Sequence, residues 1–303
     1  MLEKRTLCKY PIYFLQETLD DITTGDFIMI AANSGTGKST LSRLFMENAI
    51  QNNCPVVLYS LEDQEGITAA NECYQEFVKD GNYNWSFKQW LKDNTLHPEK
   101  YTEYRMKAMQ KANKTNADGL KMRVVHEQTA TKQWSLRDVV IQMKEEIKQG
   151  YKLFIIDHID VLVPSELPSD MVTTMRGFWK MISENNIAII TFSQLASRRN
   201  IESLCPSLDD LRGSKSKVHT PTVVISIARH LYGQYSLNND PKYQPTYMRV
   251  LKNRFGKTGC AVVFFYNGKY HDYYESVSCN ESGTFIDNKT AREMAKKQKE
   301  QLC

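Results

Sequence analysis

The sequence lacks the features that mark a membrane-spanning, secreted or zinc-binding chain. Its longest apolar runs, such as residues 260–266, are far shorter than the ~20 residues that a helix needs to cross a bilayer. The first eight residues mix acidic and basic side chains without an apolar stretch or a small-residue cleavage site, so we do not expect a secretory signal. The seven cysteines are odd in number and none are spaced as C-x-x-C, which argues against a disulfide framework and a zinc site. We therefore expect a cytoplasmic protein with reduced thiols.

The sequence also has little net charge, because 39 lysine and arginine residues face 35 aspartate and glutamate residues and leave a formal charge of +4. A polyanionic partner would therefore have to be recognised by a local basic patch, and not by the overall field of the protein. Hydrophobic residues make up 41% of the chain and charged residues 24%, which is typical of globular proteins. This composition excludes a disordered or fibrous chain, and 303 residues suffice for one large domain or two small ones.

Short apolar runs alternate with longer helical patterns, which predicts an α/β fold with a mostly parallel sheet flanked by helices. The predicted parallel strands are rich in β-branched residues and lie at 27–31, 56–60, 122–125, 153–156, 187–192 and 222–228. Beyond residue 240, three further runs are separated only by glycine-containing turns, which predicts antiparallel strands at the C-terminal end of the sheet. These runs lie at 247–251, 261–266 and 270–274.

Residues 66–118 combine aromatic side chains with many lysines and glutamates. This mixture predicts two or three amphipathic helices that pack on the sheet. The aromatic residues Trp85, Phe87, Trp90 and Tyr101 are expected in the core, in preference to a role in stacking on nucleic-acid bases.

The segment AANSGTGKST, residues 31–40, has the pattern of a phosphate-binding loop, since it follows a predicted strand and opens a predicted helix. Its glycines let backbone N–H groups turn inward around phosphate oxygens, its lysine reaches the β- and γ-phosphates, and its Ser39 hydroxyl can hold Mg²⁺. The predicted nucleotide-binding residues are Asn33, Ser34, Gly35, Thr36, Gly37, Lys38, Ser39 and Thr40. Ala32 stands where the usual pattern has its first glycine, so the alternative is a glycine-rich turn that binds no nucleotide.

Two further strand ends supply polar groups that a nucleotide-hydrolysing enzyme needs. Asp157 ends an apolar strand, at the position where an open α/β sheet places its ligands, and we expect it to bind Mg²⁺ together with Ser39. An acid after an apolar strand is common by itself, so Asp157 gains significance from its partnership with Lys38. Gln194 follows another predicted strand and offers an amide that could contact the γ-phosphate.

Hydrolysis also requires a group that activates water, and Glu62 lies just after the strand that follows the phosphate-loop helix. A carboxylate at this position is a candidate general base. Asp63 and Glu65 are close competitors for that role, and a solvated acidic loop without a catalytic function is the alternative.

Two basic segments at predicted strand exits are candidate contacts for single-stranded DNA. Their cations stand among glycine, serine and asparagine residues and are Arg198, Arg199, Arg212, Lys215 and Lys217. Single-strand binding without sequence preference requires cations and backbone donors along a groove. Solvated surface charge is the competing interpretation.

In their order along the chain, these segments resemble the C-terminal ATPase domain of the DnaB-type replicative helicases, within the RecA-like superfamily. The resemblance spans residues 15–275 and rests on six short motifs. They are ANSGTGKS at 32–39, SLE at 60–62, IID at 155–157, SQL at 193–195, DLR at 210–212 and KNR at 252–254. In that family alanine often begins the phosphate loop, and the glutamate that matches Glu62 is the catalytic one.

The resemblance implies a RecA-like P-loop NTPase core with antiparallel C-terminal strands. We expect a short N-terminal segment at 1–15, the ATPase domain at 16–277 and a polar, basic tail at 278–303. Lys252 and Arg254 match basic residues that reach into the nucleotide site of a neighbouring subunit, where a cation can stabilise the charge that develops on the γ-phosphate. Without the resemblance, a basic hairpin turn at the surface would explain these two residues equally well.

The resemblance further implies a homo-oligomer, in the form of a hexameric ring that acts on single-stranded DNA. The replicative members carry a large N-terminal domain that recruits primase, whereas about 25 residues precede the first predicted strand here, so we do not expect this segment to couple the protein to primase. A separate loading or primase-type partner is an open alternative. The sequence thus predicts a helicase or translocase that uses ATP and Mg²⁺. The alternative is an ATP-regulated DNA-binding or assembly ATPase, such as a recombinase-like or helicase-derived accessory factor, without unwinding activity.

Overall fold

A nine-stranded sheet organises the part of the chain that the computed structural model describes, which comprises residues 4–61, 66–82, 84–117, 122–126, 134–163, 168–195, 207–208, 211, 216–229, 243–266 and 272–279. In chain order, the strands are β1 (Thr6–Lys9), β2 (Asp21–Thr23), β3 (Phe27–Ala32), β4 (Val56–Ser60), β5 (Met122–His126), β6 (Leu153–Asp157), β7 (Ala188–Gln194), β8 (Val223–Arg229), β9 (Tyr243–Asn253), β10 (Gly259–Tyr266) and β11 (Asp272–Cys279). The α-helices are α1 (Tyr13–Leu19), α2 (Lys38–Gln51), α3 (Ile67–Lys79), α4 (Phe87–Leu96), α5 (Thr102–Ala117), α6 (Leu136–Lys148), α7 (Pro168–Asn185) and α8 (Ser216–His219). Single turns of 3₁₀-helix lie at Pro98–Tyr101 and Ile159–Leu162. Among the helices of these described residues, none combines the length and apolar character needed to cross a membrane.

The sheet is parallel from its centre to one edge and antiparallel on the other side. Its strand order is β11-β10-β9-β8-β3-β7-β6-β4-β5, with β3 to β8 parallel and β9 to β11 antiparallel. The predicted fold class is therefore confirmed, and each of the six predicted parallel strands is present with ends that differ by at most two residues.

The strands of the structure differ from the predicted strands in two ways. The antiparallel strands are longer than predicted, because pairing with both neighbours extends β9 over polar residues that an apolar pattern does not mark. In addition, β1 and β2 precede the first predicted strand and form a separate two-stranded antiparallel pair. These two strands contain only four and three residues, which is too short for a recognisable alternation of apolar and polar side chains.

Helices cover both faces of the parallel part of the sheet, which explains why its strands are apolar along their whole length. On one face, alternate residues of the strands, such as Ile28 and Ile30, pack with Leu41 and Phe45 of α2. On the other face, Phe27 and its equivalents in neighbouring strands pack with side chains of α6 and α7. The strands are thereby held in a fixed sheet whose loops at the carboxyl edge carry the polar residues.

The helices α3, α4 and α5 lie between β4 and β5 in the chain and contain a small aromatic core of their own. Trp90 and Tyr101 are buried in it, as predicted, together with Tyr74 and Phe77. We predicted that these helices pack on the sheet. The structure differs, because the buried members of their aromatic core come from the helical segment itself. Trp85 was also expected in the core, but 38% of this residue is exposed.

Candidate active site

The candidate site lies at the carboxyl edge of the parallel strands. In the pairing of β3 with β7, Ala32 stands beside Gln194, and in the pairing of β4 with β6, Ser60 stands beside Asp157. Parallel strands in register end at the same edge of a sheet, and ligands of open α/β folds bind there. Residues that are up to 162 positions apart in the chain, Ala32 and Gln194, therefore meet at one edge.

The phosphate-binding loop connects the end of β3 to the start of α2. Gly35 has φ 74° and Gly37, the residue before α2, has φ 99°. Both values lie in the left-handed region, which only glycine adopts without strain. The backbone N–H of Thr36 donates to the Asn33 carbonyl at 3.3 Å, which closes the turn. The loop thus delivers the chain to the N-terminal end of a 14-residue helix, where the first N–H groups and the helix dipole favour an anion.

Lys38 begins α2 and folds back toward the loop. Its ammonium group donates to the Asn33 carbonyl at 3.4 Å, and only 8% of the residue is exposed. The loop residues Asn33, Ser34 and Gly35 are exposed, in contrast. A phosphate that settles on the exposed loop would therefore approach a lysine that is already largely removed from water, where its charge acts more strongly.

Asp157 lies at the end of β6, directly against the first turns of α2. It is 2% exposed, and its Oδ2 accepts a hydrogen bond from the Ser42 hydroxyl at 3.0 Å. The Ser42 hydroxyl oxygen also lies 3.0 Å from the carbonyl oxygen of Ser39, so the two acceptors share its one hydrogen. This contact joins the predicted metal-binding carboxylate to the helix that follows the phosphate loop. Ser42 was not predicted, although its position three residues after Ser39 puts the two side chains on neighbouring parts of one helix surface.

These oxygen-bearing groups fit Mg²⁺. The ion is usually held by one or two carboxylates together with nucleotide phosphates and water, and not by a cage of protein side chains. Consistent with that mode, the described residues contain no group of three or more His, Cys, Asp or Glu side chains that could hold a metal ion alone. Ser39 and Asp157 are the residues that would hold Mg²⁺ next to a bound nucleotide.

Gln194 ends β7 and is held by the turn that follows β6. Its backbone N–H donates to Oδ2 of Asp160 at 2.8 Å, and its side-chain Nε2 lies 3.5 Å from Nε2 of His158. His158 is itself buried, and its Nδ1 lies 3.4 Å from Oδ2 of Asp160. Sequence reasoning missed Asp160, because no local motif distinguishes it from other acids in a loop.

Burial would raise the pKa of the Asp160 carboxyl, but hydrogen bonding with His158 and the charge of Lys217 together hold this pKa well below its ordinary value. Lys217 was predicted to contact DNA. The structure places it inside the protein instead, with 2% of its side chain exposed and its Nζ 2.6 Å from Oδ1 of Asp160. The same Nζ donates to the Ser193 hydroxyl at 2.8 Å. The physical reason for the difference is that Lys217, once buried, requires an anionic partner, which the partly buried Asp160 carboxylate supplies.

The two basic residues of the hairpin between β9 and β10 are placed differently from each other. Lys252 points into its own chain, where its Nζ donates to the carbonyls of Val218, His219 and Pro221 at 2.7, 2.9 and 2.7 Å. Burial lowers the pKa of Lys252, and the charge of Arg254 lowers it further. Arg254 is exposed, and its guanidinium carbon lies 5.7 Å from the ring centre of Trp179. Only Arg254 of the two is therefore presented at the surface in this structure.

Several predicted site residues lie outside the described part of the chain. They are Glu62, its competitors Asp63 and Glu65, and the basic residues Arg198, Arg199, Arg212 and Lys215. The residue before Glu62 is described: the backbone N–H of Leu61 donates to the Asp157 carbonyl at 2.7 Å. The hydrogen-bonded pairing of β4 with β6 thus continues up to the residue that precedes the predicted general base.

Comparison with known proteins agrees with this arrangement. The family model described as DnaB-like helicase C terminal domain matches residues 12–275. Among solved structures, an ATPase domain is similar with a TM-score of 0.69 and 16% identity, over 88% of this chain and 90% of that one. A DnaB-like replicative helicase, studied with its interactions with primase, is similar with a TM-score of 0.68 and 16% identity, over 88% of this chain and 61% of that one. A search of curated proteins found no significant match. Because the family model covers most of its length, the chain belongs to the family of DnaB-like helicase C-terminal domains.

Proposed function

We propose that the protein is an ATP-dependent DNA helicase or translocase that moves on single-stranded DNA as a ring, with six subunits as the expected number. Family membership makes it a helicase-type ATPase domain. The observation that carries the proposal further is the meeting of the phosphate loop, Asp157 and Gln194 at one edge of the sheet. This is the set of groups needed to bind a nucleoside triphosphate and to respond to its γ-phosphate.

In the proposed reaction, the loop and the N-terminus of α2 bind the phosphates of ATP, and Lys38 neutralises charge on the β- and γ-phosphates. Ser39 and Asp157 would hold Mg²⁺, which when bound would neutralise further charge on the transferred phosphoryl group. Glu62 accepts a proton from the attacking water and so directs it at the γ-phosphate. Support for this role comes from Leu61, whose hydrogen bond to the Asp157 carbonyl brings the chain to the metal-binding carboxylate just before Glu62.

Variants of Lys38 and Glu62 should separate nucleotide binding from hydrolysis. Lys38→Ala removes the cation that binds phosphate, so we expect it to lose affinity for ATP. Glu62→Gln keeps the size of the side chain but cannot accept a proton, so we expect it to bind ATP normally and to lose about 10²-fold or more in turnover. Binding of a fluorescent ATP analogue and steady-state phosphate release measure the two effects. Normal turnover by Glu62→Gln would assign the general base to Asp63 or Glu65 instead.

Of the five predicted DNA contacts, Lys217 is paired inside the protein, which leaves Arg198, Arg199, Arg212 and Lys215 as the candidates. We propose that they track the phosphates of a single strand in the channel of the ring. Each phosphate neutralised by a cation releases counterions, so the contribution of these residues is measurable as a dependence of affinity on salt.

Neutralising Arg198, Arg199 and Lys215 together should weaken binding to single strands of any sequence and flatten the plot of log affinity against log salt by about two units, at roughly 0.7 per phosphate contact. Fluorescence anisotropy with a labelled oligonucleotide at several salt concentrations measures this slope. Neutralising the exposed helix residues Lys88, Lys144 and Lys148 changes net charge equally and serves as the matched control. Equal slopes for the wild type and the loop variant would show that the DNA surface lies elsewhere.

A ring places one subunit's hairpin against its neighbour's nucleotide site. Arg254 is exposed on that hairpin, and we propose that it stabilises the transition state of hydrolysis in trans, as an arginine finger. Lys252 is proposed to support the finger from within its own chain, given its three backbone acceptors. Ligands that bind across such an interface stabilise the assembled ring by mass action, so ATP and DNA should favour the oligomer.

Mixing inactive variants tests whether the sites are shared. Arg254→Ala and Lys38→Ala should each lack activity alone, whereas mixed rings should regain part of it, because a subunit with an intact phosphate loop can meet a neighbour with an intact finger. ATPase rates across a series of mixing ratios measure the recovery, with fluorescence energy transfer between labelled subunits as proof of exchange. Absence of any recovery in rings that demonstrably exchange subunits would rule out Arg254 as a finger in trans.

A further inference from the structure

An ionic cluster built around the buried Lys217 and the partly buried Asp160 lies beside the candidate nucleotide site and joins three elements of the chain. Asp160 is in the 3₁₀ turn after β6, Ser193 is near the end of β7, and Lys217 is in α8. Lys217 Nζ lies 2.6 Å from Oδ1 of Asp160 and 2.8 Å from the Ser193 hydroxyl. That hydroxyl in turn lies 3.0 Å from Oδ2 of Asp160. All three side chains therefore share hydrogen bonds in one small cluster.

Stability alone does not account for an ion pair in this place. Removing a lysine from water costs free energy that its partner's attraction offsets only when the geometry is favourable, and apolar side chains of similar size often serve stability equally well. Charge-assisted hydrogen bonds, however, are short and stronger than neutral ones, and Lys217 makes two short hydrogen bonds, to Asp160 and Ser193, that join α8 to two other elements. The pair is therefore suited to hold α8 at a defined position against the end of β7.

Asp160 uses its other oxygen to hold Gln194. Its Oδ2 accepts the Gln194 backbone N–H at 2.8 Å and lies 3.4 Å from Nδ1 of His158. His158 lies 3.5 Å from the Gln194 amide through its other ring nitrogen. One carboxylate thus binds Gln194, which lies beside Ala32 at the start of the phosphate loop, and, through Lys217, the helix α8.

A second lysine fixes the opposite end of the same helix. Lys252 donates to the carbonyls of Val218, His219 and Pro221, which are the last residues of α8 and the turn that leads to β8. The segment from Ser216 to Pro221 is consequently held from two sides, by Asp160 and by the hairpin that carries Arg254. A displacement at Gln194 has a direct route to this segment through the carboxylate that both share.

We propose that Asp160 and Lys217 are positioning residues that couple Gln194 to α8, so that nucleotide bound at the phosphate loop changes the stability of residues 216–222. The inference rests on the proposed function in one respect, since it requires the site to bind ATP. In this mechanism neither residue contacts the nucleotide. Asp160 orients Gln194, and its ion pair with Lys217 passes a displacement of Gln194 on to α8.

Hydrogen exchange measures this coupling without relying on activity or on DNA. In the wild type, Mg²⁺ and the slowly hydrolysed analogue ATPγS should slow amide exchange in residues 216–222 by about threefold or more. The reason is that a segment held more firmly by the Asp160–Lys217 pair unfolds locally less often. Lys217→Met should remove most of that difference while its affinity for ATPγS stays within about threefold of the wild type, since the residue lies outside the phosphate loop.

Two further variants separate coupling from simple destabilisation. Lys217→Met leaves the Asp160 charge without its cation, so the double variant Asp160→Asn, Lys217→Met removes both charges and should recover thermal stability without recovering the effect of nucleotide on α8. Arg123→Met is the matched control, because it removes a cation from the buried carboxylate of Glu146, whose Oε1 lies 3.4 Å from Nε of Arg123, outside this cluster. It should lose stability and keep the nucleotide effect.

The outcomes distinguish the inference from the proposed function. Unchanged nucleotide protection of residues 216–222 in the double variant would overturn the inference and leave the ATPase proposal standing. Loss of that protection in Arg123→Met as well would also overturn the inference, because the effect would then follow from a general loss of stability. Failure of the wild type to bind ATPγS would contradict the proposed function and the inference together.

Discussion

Parallel pairing of β3 with β7 and of β4 with β6 is the constraint on which the rest of the candidate site depends. The pairing aligns Ala32 with Gln194 and Ser60 with Asp157, so four separate parts of the chain end at one edge of the sheet. The hydrogen bond between Ser42 and Asp157 then joins α2 to that edge. If the register between these strands shifted, the loop, the carboxylate and the amide would no longer face a common point.

Burial decides which basic residues of the chain are available to ligands. Lys217 and Lys252 were both expected to meet a partner, yet each binds groups inside its own chain: the partly buried Asp160 carboxylate for Lys217 and three carbonyls for Lys252. An ammonium group that makes such contacts gives them up only at the cost of leaving buried acceptors unsatisfied. Arg254, which is exposed, carries no such cost and is the better candidate for reaching another subunit.

Local patterns predicted most of the fold and the backbone geometry of the phosphate loop. Apolar runs of β-branched residues gave the six parallel strands, and the glycines of the phosphate loop are needed at Gly35 and Gly37 because both have positive φ. The cluster around Asp160 was beyond such reasoning, since its partner Lys217 is 57 residues away and neither residue lies in a pattern that distinguishes a buried ion pair from two solvated charges. Aromatic content likewise predicted a core around Trp90, but only the three-dimensional packing shows that this core is separate from the sheet.

We propose that this chain converts ATP hydrolysis into movement along single-stranded DNA. The most direct measurement is displacement of a labelled strand from a forked duplex with free single-stranded arms, in the presence of Mg²⁺ and either ATP or ATPγS. We expect displacement with ATP and almost none with ATPγS. The rate with ATP should rise with ATP concentration until the nucleotide sites are filled. If the protein binds the fork and hydrolyses ATP but releases no strand, it is an ATP-regulated DNA-binding protein and the claim is contradicted.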